Sequence, residues 1–335
     1  MHLKFRNIND AFRDVVSQIN DGRISCSKSD SRNGSVLRCN DVITLTFTNP
    51  LERVLFNRSR DVNPFSLLYE SLWTIAGYNT VAPIAYYTKR MVDYSDDGKT
   101  WHGAYGHRWR SHFGIDQLKS AIEQLRTTPT SRRVVLEMWD PRVDGVGTGK
   151  DYPCNTHIYL SIRDNKLDLT VCNRSNDLVW GLFGTNYVVF SFLLEYLASA
   201  IGISVGVYNH FTNNLHVYES NWKPKEWLGS KIEGEICYPP DFAKPYQMIP
   251  LVKDPAIFEK ELPSFVGNAY GEGVIPTTSR DWQEPFFRGV AGPLLRAYAW
   301  HRKGDTKQAL STMESVASDD WRIAGTNWLT KRSKK

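Results

Sequence analysis

Apolar residues recur along the chain with a helical period in several segments. Spacings of three and four residues predict a helix over 1–22 and an amphipathic helix over 115–129. An Asn-Pro pair before an apolar run predicts a buried helix over 64–76. The longest mainly apolar run, 186–202, predicts a central buried helix that ends at its final glycine.

Strands are predicted where β-branched and polar residues alternate, over 42–50, 131–141, 156–173 and 205–220. The third segment is predicted to be a hairpin around the turn-favouring pair Asp164-Asn165. The fourth is predicted to be one strand with a polar bulge. The polar segment 24–40 carries a turn signal at Asn33-Gly34. Helices and strands therefore mix along this part of the chain, which predicts an α/β domain.

After about residue 250 the pattern changes to amphipathic helices alone. Two or three helices are predicted over 293–332, and we expect a main domain over 1–250 and a helical extension over 251–335. Three tryptophans of this extension, Trp300, Trp321 and Trp328, are predicted to be core residues rather than part of a cofactor site.

Composition limits the classes of function. The net charge of +5 comes from intermixed basic and acidic residues, which suits an anionic small molecule and does not require nucleic acid. The chain lacks an uninterrupted apolar run of about eighteen residues, so no membrane span is predicted. Its N-terminus lacks the apolar core of a signal peptide. Cys26, Cys39, Cys154, Cys172 and Cys237 include no CxxC pair, which argues against a disulfide framework or a metal site and predicts a cytoplasmic protein.

A cysteine and a polar pair twenty residues later carry the first candidate chemistry. Cys154 lies between Pro153 and Asn155, and a cysteine becomes a nucleophile where a positive charge stabilises its thiolate. Arg174 can supply that charge, because the predicted hairpin brings the start of one strand near the end of the next. Arg174 and Ser175 together suit a phosphate monoester. A buried structural cysteine is the alternative for Cys154.

Three other charged residues have two interpretations each. Arg132 and Arg133 begin a predicted strand, where neighbours point to opposite faces, so only one of them can face a given site in the same subunit. Both could instead be solvated surface arginines. Glu70 lies inside an apolar helix, where a carboxylate either pairs with a cation or is kept for proton transfer.

Polar residues near two strand ends could bind a nucleoside. The amide of Asn186 could donate and accept hydrogen bonds at a pyrimidine edge, or could simply cap the helix that follows it. His216 and Tyr218 lie two apart on a predicted strand and so point to one face. That face suits two sugar hydroxyls, although an ordinary polar sheet face has the same pattern.

The order of these residues resembles the thymidylate synthase and pyrimidine nucleotide hydroxymethylase family over roughly residues 24–225. The strongest match is Pro-Cys-Asn, then Asn-Arg-Ser-Asn-Asp, a glycine, an asparagine and Leu-His-Val-Tyr. Upstream, Tyr-Glu-Ser-Leu-Trp, Ala-Tyr-Gly-His-Arg-Trp-Arg and Ser-Arg-Arg are similar to the family's glutamate helix, Tyr-Gly segment and paired arginines. The resemblance implies an α/β fold of the α+β type, in which helices pack a mixed twisted sheet. The C-terminal helical segment is additional.

The resemblance implies roles around the nucleotide phosphate and the reacting carbon. Cys154 would add to C6 of the pyrimidine ring, and Arg174 and Ser175 would hold the phosphate. Arg132 and Arg133 would reach that phosphate across the interface of a homodimer, which removes the difficulty of opposite faces.

Further roles follow from the same resemblance. Arg32 would be the loop arginine that closes over the phosphate, and Asp177 would face both the base and the folate. Gly181 would let the base approach the backbone. His216 and Tyr218 would bind the 3′-hydroxyl of the sugar.

Glu70 and Tyr105 are implied to belong to a water network that moves protons at C4 and C5. Asn186 is implied to read the base, and an asparagine there favours dUMP over dCMP. The spacing from Gly181 to Asn186 is one residue longer than in the family, which leaves Thr185 as a rival for this position.

The implied reaction uses 5,10-methylenetetrahydrofolate, and either water or a hydride completes it. We expect 5-hydroxymethylation of dUMP, as in phage-type deoxyuridylate hydroxymethylases whose products serve DNA modification. Asn155 follows the cysteine where synthases carry His or Gln, and the chain ends in Lys-Arg-Ser-Lys-Lys where they have an apolar tail. A site that admits water favours hydroxymethyl over methyl. Thymidylate synthesis and a dCMP or CMP substrate are the enzymatic alternatives.

Two readings of another class stay open. The chain could be a non-catalytic module that binds nucleotide or RNA, with its basic tail and aromatic segment 73–109 as the binding surface. Residues 255–335 could instead dock a partner protein. A viral chain would work in the cytoplasm of its host.

Overall fold

Two mixed β-sheets form the frame of this protein, whose computed structural model describes residues 1–229, 238 and 246–333. Their strands are β1 (His2–Phe5), β2 (Cys26–Ser31), β3 (Gly34–Cys39), β4 (Ile43–Phe47), β5 (Val135–Glu137), β6 (Asn155–Arg163), β7 (Lys166–Asn173), β8 (Asn176–Asp177), β9 (Ser204–Thr212) and β10 (Leu215–Tyr218). A six-stranded sheet has the order β1-β4-β9-β7-β6-β5, and a four-stranded sheet has the order β2-β3-β10-β8. Both sheets contain parallel and antiparallel pairs, which confirms the predicted mixed sheet.

Helices surround both sheets. They are α1 (Ile8–Asn20), α2 (Pro64–Ile75), α3 (Val81–Tyr87), α4 (Tyr105–His107), α5 (Gln117–Thr127), α6 (Tyr187–Ile201), α7 (Pro224–Gly229), α8 (Pro255–Asn268), α9 (Val274–Thr278), α10 (Gly292–Arg302), α11 (Thr306–Met313) and α12 (Asp319–Ser333). Segments of 3-10 helix are Lys89–Tyr94, Glu219–Asn221 and Gly271–Gly273, and π-helical segments are Arg108–His112, Leu178–Asn186 and Phe287–Ala291.

The predicted central helix is confirmed as α6. It packs against α2, α5, β7 and β9, and it ends at Gly202, whose φ of 91° lies in the left-handed region. Together with the π-helical segment before it, α6 forms the stretch Leu178–Ile201, which is long and apolar enough to cross a membrane. Most of this stretch is buried inside the protein, so in this fold it is the core helix.

Local signals predicted several other elements correctly. Asn63 precedes α2, and its side chain accepts hydrogen bonds from the backbone N–H groups of Phe65 and Ser66, as the cap of a helix should. The β6–β7 hairpin turns at Asp164 and Asn165, whose φ angles of 48° and 56° are both positive, as a two-residue type I′ turn requires. The predictions for α5 and β4 are confirmed too.

The prediction of a helix from residue 1 is wrong at its start. His2–Phe5 form β1, which pairs in parallel with β4, and α1 begins only at Ile8. The side chain of Asn7 caps α1 by accepting from the N–H groups of Asn9 and Asp10. Pairing with a distant strand satisfies the backbone of these first residues, and no short-range pattern shows it.

Three other predicted boundaries change. Segment 131–141 contains only the three-residue strand β5, so Arg132 and Arg133 precede the strand and the expectation about opposite faces does not apply. Segment 205–220 is two strands, β9 and β10, which belong to different sheets. The polar segment 24–40 forms the hairpin of β2 and β3.

The helices after residue 250 pack onto the rest of the protein. The hydroxyl of Tyr69 on α2 donates to the carbonyl of Val266, at 2.8 Å, and the backbone N–H of Leu251 donates to the Glu195 carboxylate of α6, at 2.8 Å. Trp321 and Trp328 are buried, whereas Trp300 is half-buried. These helices therefore share one hydrophobic core with α2 and α6. Cys237 lies outside the described residues.

Candidate active site

A cavity of about 700 Å³ brings seven of the predicted site residues together: Cys154, Glu70, Tyr105, Asp177, Gly181, Asn186 and Tyr218. Thr185, the rival of Asn186, lines the same cavity. The other predicted residues lie outside this lining: Arg32, Arg132, Arg133, Arg174, Ser175 and His216. The structure thus joins the residues that would act on a base and leaves outside the cavity lining those predicted to bind the phosphate, together with His216.

Cys154 immediately precedes β6, and it lies next to Arg174, which immediately follows β7. The backbone N–H of Arg174 donates to the Cys154 carbonyl at 2.9 Å, and its guanidinium donates to the carbonyls of Pro153 and Tyr152 at 3.0 and 3.3 Å. Burial raises the pKa of the Cys154 thiol, and the positive charge of Arg174 opposes that rise. The predicted proximity of the cysteine and the arginine is therefore present, and burial has the larger effect on the thiol pKa.

The basic residues expected at the phosphate lie on the surface. Arg174 is exposed and stands over the ring of Trp139 at 5.4 Å, at the edge of a second concavity of about 560 Å³. Arg132 and Arg133 are exposed as well. Arg32 donates to the carbonyls of Gly149 and Lys150, so the β2–β3 hairpin docks onto the loop before Cys154.

The short parallel pairing of β8 with β10 places His216 opposite Asp177. The His216 and Tyr218 rings meet edge to face, with centroids 5.6 Å apart, so they share one face as predicted. Of these two residues, only Tyr218 lines the cavity. Ser175 is half-buried between Arg174 and the start of β8.

Glu70 is the half-buried carboxylate of α2, and it faces the cavity. It accepts a hydrogen bond from the Thr185 hydroxyl at 3.3 Å, and burial raises its pKa to about 7. Within the part of the chain that the structure describes, no ion pair forms at Glu70, so the salt-bridge alternative is wrong. A carboxyl with this pKa can both give and take a proton near neutral pH.

Tyr105 begins α4, which packs unusually close to α2. A Cβ on the next residue, Gly106, would come within 1.7 Å of the Thr74 carbonyl oxygen, so only glycine allows this contact. The Tyr105 ring stacks on Phe190 with centroids 5.8 Å apart, and burial raises the pKa of its hydroxyl well above the usual range. The hydroxyl is therefore a protonated donor at neutral pH.

The π-helical segment Leu178–Asn186 presents the next group of cavity residues. Asp177 caps it, because one carboxylate oxygen accepts from the N–H groups of Val179 and Trp180. The other oxygen, Oδ2, is buried without a partner among the described residues, and burial raises the Asp177 pKa. The segment is irregular at Phe183 and Gly184, whose backbone angles are not helical.

Both Thr185 and Asn186 therefore reach the cavity, with different partners. Thr185 contacts Glu70, whereas the Asn186 side chain donates through Nδ2 to Asn176 Oδ1 at 3.1 Å. Asn186 follows a π-helical residue and makes no capping hydrogen bond, so the N-cap alternative is wrong. The amide of Asn186 keeps its oxygen and one N–H group for a ligand.

Sequence reasoning missed three residues around this site. Asn176 and His210 are buried next to Asn186, and Asn176 lines the cavity. Asp151, three residues before Cys154, lines the cavity as well. The Asp151 carboxylate accepts from the Gly103 N–H at 2.8 Å, and burial raises its pKa. Asn176 stands between Ser175 and Asp177 in the motif, and its polar type was the available signal.

The far end of the cavity is aromatic and basic. The Trp180 ring lies under the guanidinium of Arg90, at 3.8 Å, and near that of Arg60, at 4.8 Å. Trp328 and Arg332 of α12 line this end too, with the guanidinium 3.5 Å from the ring centroid. Trp328 is thus both a core residue and part of the cavity wall, which the sequence did not predict.

Comparison with known proteins agrees with this geometry. A family model described as thymidylate synthase matches residues 11–231. The chain is 37% identical to the deoxyuridylate hydroxymethyltransferase of Pseudomonas phage M6, over 98% of this chain and 94% of that protein. Proteins of the same name from Bacillus phage SP01 and Delftia phage PhiW-14 are 38% and 32% identical, over 58% and 59% of this chain and 52% and 57% of theirs. The chain therefore belongs to the thymidylate synthase family.

Proposed function

We propose that this chain transfers a one-carbon unit from 5,10-methylenetetrahydrofolate to C5 of dUMP and adds water, which yields 5-hydroxymethyl-dUMP. The observation that carries the proposal is the similarity to a phage deoxyuridylate hydroxymethyltransferase over nearly the whole length of both chains. The cavity that joins Cys154 to Asn186 supports it. Such a nucleotide would serve as a precursor for modified DNA.

Cys154 would begin the reaction by adding its sulfur to C6 of the base, which makes C5 a carbon nucleophile. Its thiol must first lose a proton. Binding of a nucleotide beside Arg174 would strengthen the stabilisation of the thiolate by the positive charge of the Arg174 guanidinium. Glu70, with its pKa near 7, would hold a proton for O4 of the base and later accept the proton that leaves C5. Tyr105 would donate to the same group of waters.

Asn186 would read the base. Its free N–H suits O4 of uracil, and its free oxygen suits N3–H. Cytosine presents the reverse pattern, so dCMP would meet a donor with a donor. A site built from such hydrogen bonds discriminates strongly, because a mismatched base leaves buried polar groups unpaired.

The residues of the far end fit a folate. Asp177 Oδ2 and Arg60 Nε are buried polar atoms without partners among the described residues, and each could bond to a ligand. Trp101 and Trp180 offer flat surfaces for fused and aromatic rings. Arg90 and Arg332 would attract the carboxylates of its glutamate tail. When bound, 5,10-methylenetetrahydrofolate supplies a one-carbon unit at the oxidation level of formaldehyde.

We also propose a homodimer formed through the outer face of the six-stranded sheet. Val135 and Tyr159 lie opposite each other on β5 and β6, and they are 37% and 48% exposed. Exposed Arg132 and Arg133 lie just before Val135, so a second copy would bring its pair towards Arg174 and the phosphate. Sedimentation of Tyr159→Asp tests this: a monomer with weakened dUMP binding is expected, and an unchanged dimer would contradict it.

The decisive experiment mixes the purified protein with dUMP and 5,10-methylenetetrahydrofolate. We expect 5-hydroxymethyl-dUMP by mass, with no dihydrofolate by absorbance, because water rather than a hydride completes the reaction. Thymidylate with an equal amount of dihydrofolate would make the chain a synthase. Product from dCMP or CMP instead would change the substrate.

The variant Cys154→Ser separates catalysis from mere binding. It should abolish turnover and keep dUMP binding, because the serine hydroxyl is a poor nucleophile of similar size. If the unmodified chain binds nucleotide or RNA without any turnover, it is a binding module.

A further inference from the structure

A chain of buried hydrogen bonds runs from the protein interior to Asn186. Asn176 Nδ2 contacts His210 Nε2 at 2.7 Å, and Asn176 Oδ1 accepts from Asn186 Nδ2 at 3.1 Å. All three side chains are buried, with exposures of 2%, 1% and 8% for Asn176, His210 and Asn186. Behind His210, the Tyr208 hydroxyl contacts Nδ1 at 2.5 Å.

A backbone carbonyl determines which atoms donate and which accept in this series of hydrogen bonds. Asn173 Nδ2 lies 3.1 Å from the Phe211 carbonyl oxygen, which can only accept, so the nitrogen of this amide must point there. The same Nδ2 lies 3.0 Å from His210 Nε2 and gives its second proton to it. His210 Nε2 is therefore an acceptor, and the ring carries its proton on Nδ1, towards Tyr208.

The acceptor role of His210 Nε2 fixes the orientation of the Asn176 amide, which in turn fixes that of the Asn186 amide. Because His210 Nε2 accepts, Asn176 must present Nδ2 to it, which turns Asn176 Oδ1 towards Asn186. Asn186 must in turn donate through Nδ2, which leaves its oxygen and one N–H for the cavity. Burial lowers the His210 pKa to about 3, so the ring stays neutral and its acceptor role persists at physiological pH.

Gly181 makes room for this arrangement. A Cβ at this residue would lie 2.0 Å from Asn176 Oδ1 and 3.3 Å from Asn186 Nδ2. The glycine of the motif therefore allows the amide of Asn176 to reach Asn186, in addition to any approach of the base.

We propose that Asn176 and His210 are specificity-determining positioning residues that hold the Asn186 amide in the orientation complementary to uracil. An asparagine amide is nearly symmetric in shape, and a half-turn exchanges its donor and acceptor, which would suit cytosine equally well. In this protein the half-turn would place two oxygens, or two N–H groups, against each other in a buried site. The proposal rests on the proposed function, in which Asn186 reads the base.

The test measures dUMP and dCMP binding by calorimetry in Asn176→Ala, without folate. Loss of the hydrogen bond from Asn186 to Asn176 leaves the Asn186 amide free to turn. The affinity for dCMP should therefore be about tenfold or more higher than in the unmodified protein, and the affinity for dUMP should change little. A gain of affinity cannot come from partial unfolding. His210→Phe removes the hydrogen bond between His210 and Asn176 and changes no cavity-lining residue, so it should raise the dCMP affinity as well. A near-ultraviolet circular dichroism spectrum checks that this variant folds.

Ser191→Ala is the matched control. It removes a buried hydrogen bond, which Ser191 on α6 donates to the Pro50 carbonyl at 2.6 Å, and Ser191 does not belong to the cavity lining. The hydrogen bonds that join His210, Asn176 and Asn186 stay intact. In this variant the ratio of dUMP to dCMP affinity should stay that of the unmodified protein. An unchanged ratio in Asn176→Ala would overturn the proposal, and so would an equal change of the ratio in Ser191→Ala. An unmodified protein that binds neither nucleotide would instead refute the proposed function.

Discussion

Burial and nearby charge decide how readily the Cys154 sulfur ionises. Burial and the carboxylates of Asp151 and Asp177 raise the pKa of this thiol, whereas Arg174 lowers it. The two signs of charge are carried by different side chains, so each can be changed separately.

Asp151→Asn should make Cys154 more reactive, and Arg174→Gln should make it less reactive. The asparagine can still accept from the Gly103 N–H, so the change removes charge and keeps the hydrogen bond. At neutral pH we expect alkylation of Cys154 by iodoacetamide to change about two- to tenfold in each direction. Mass spectrometry of the peptide that contains Cys154 separates it from the other cysteines. Equal rates in both variants would show that burial alone sets the pKa.

Glu70 should make stability depend on pH. Its pKa is about 7 in the folded protein, above its ordinary value of 4.5, so the folded state holds the proton more tightly. The stability that the protonated carboxyl contributes is complete below about pH 4.5 and is lost as the pH rises to about 7. Glu70→Gln cannot titrate and should escape this loss.

Between pH 4.5 and 8, the free energy of unfolding of Glu70→Gln should rise by about 2 kcal/mol relative to that of the unmodified protein. This is less than the full pKa shift of Glu70 would give, because its carboxyl faces the cavity. Urea unfolding of both proteins at several pH values measures this difference. A difference that stays constant with pH would mean that Glu70 titrates normally.

Residue type and order were enough to predict seven of the residues that line the cavity. They did not predict the role of Asn176, a motif residue that lines the cavity, or of His210, which is not part of the lining, because no chemistry was assigned to either position. Their role comes from hydrogen bonds between β7, β8, β9 and the π-helical segment, which are distant in sequence.

At the scale of elements, the contact of α4 with α2 places Tyr105 near Glu70. The two helices meet backbone to backbone at Gly106 and Thr74. A side chain at this position would push them apart, and the two residues proposed to move protons, Glu70 and Tyr105, would lose their relative position.

Gly106→Ala should therefore lower both stability and turnover. The methyl group would lie 1.7 Å from a carbonyl oxygen, and such overpacking costs about 1–3 kcal/mol or more. Turnover should fall by at least about tenfold, because small misplacements of catalytic groups are costly. Gly229→Ala, at a glycine with nothing within 4 Å of the added Cβ, is the control and should match the unmodified protein. An active and stable Gly106→Ala would show that α4 moves without consequence.

At the scale of the whole molecule, the C-terminal helices complete the cavity. The family model ends at residue 231, yet Trp328 and Arg332 line the far end of the site. Arg332 also pairs with Asp61 through two contacts of 3.1 Å, which ties α12 to the loop before α2. The C-terminal extension thus contributes residues to the cavity wall.

Arg332→Ala should weaken folate binding and leave dUMP binding unchanged. It removes a positive charge from the far end and leaves Asp61 with fewer partners, so a dicarboxylate tail would meet a less favourable potential. We expect the tetrahydrofolate Kd, measured by calorimetry with dUMP present, to rise about three- to tenfold. Arg322→Ala on the same helix, where the arginine pairs with Asp319, is the control. The same effect in both variants would assign the change to α12 stability.

The sequence alone determined the elements that depend on neighbours along the chain. Capping and apolar periodicity define α2 and α6, and a turn pair defines the β6–β7 hairpin, because each signal acts over a few residues. The order of motif residues determined the family. Tertiary structure alone decided that the first residues form a strand, that 205–220 divides between two sheets, that Asn176 orients Asn186, and that α12 closes the cavity. Each of these depends on hydrogen bonds or packing between distant segments, whose partners no local pattern names.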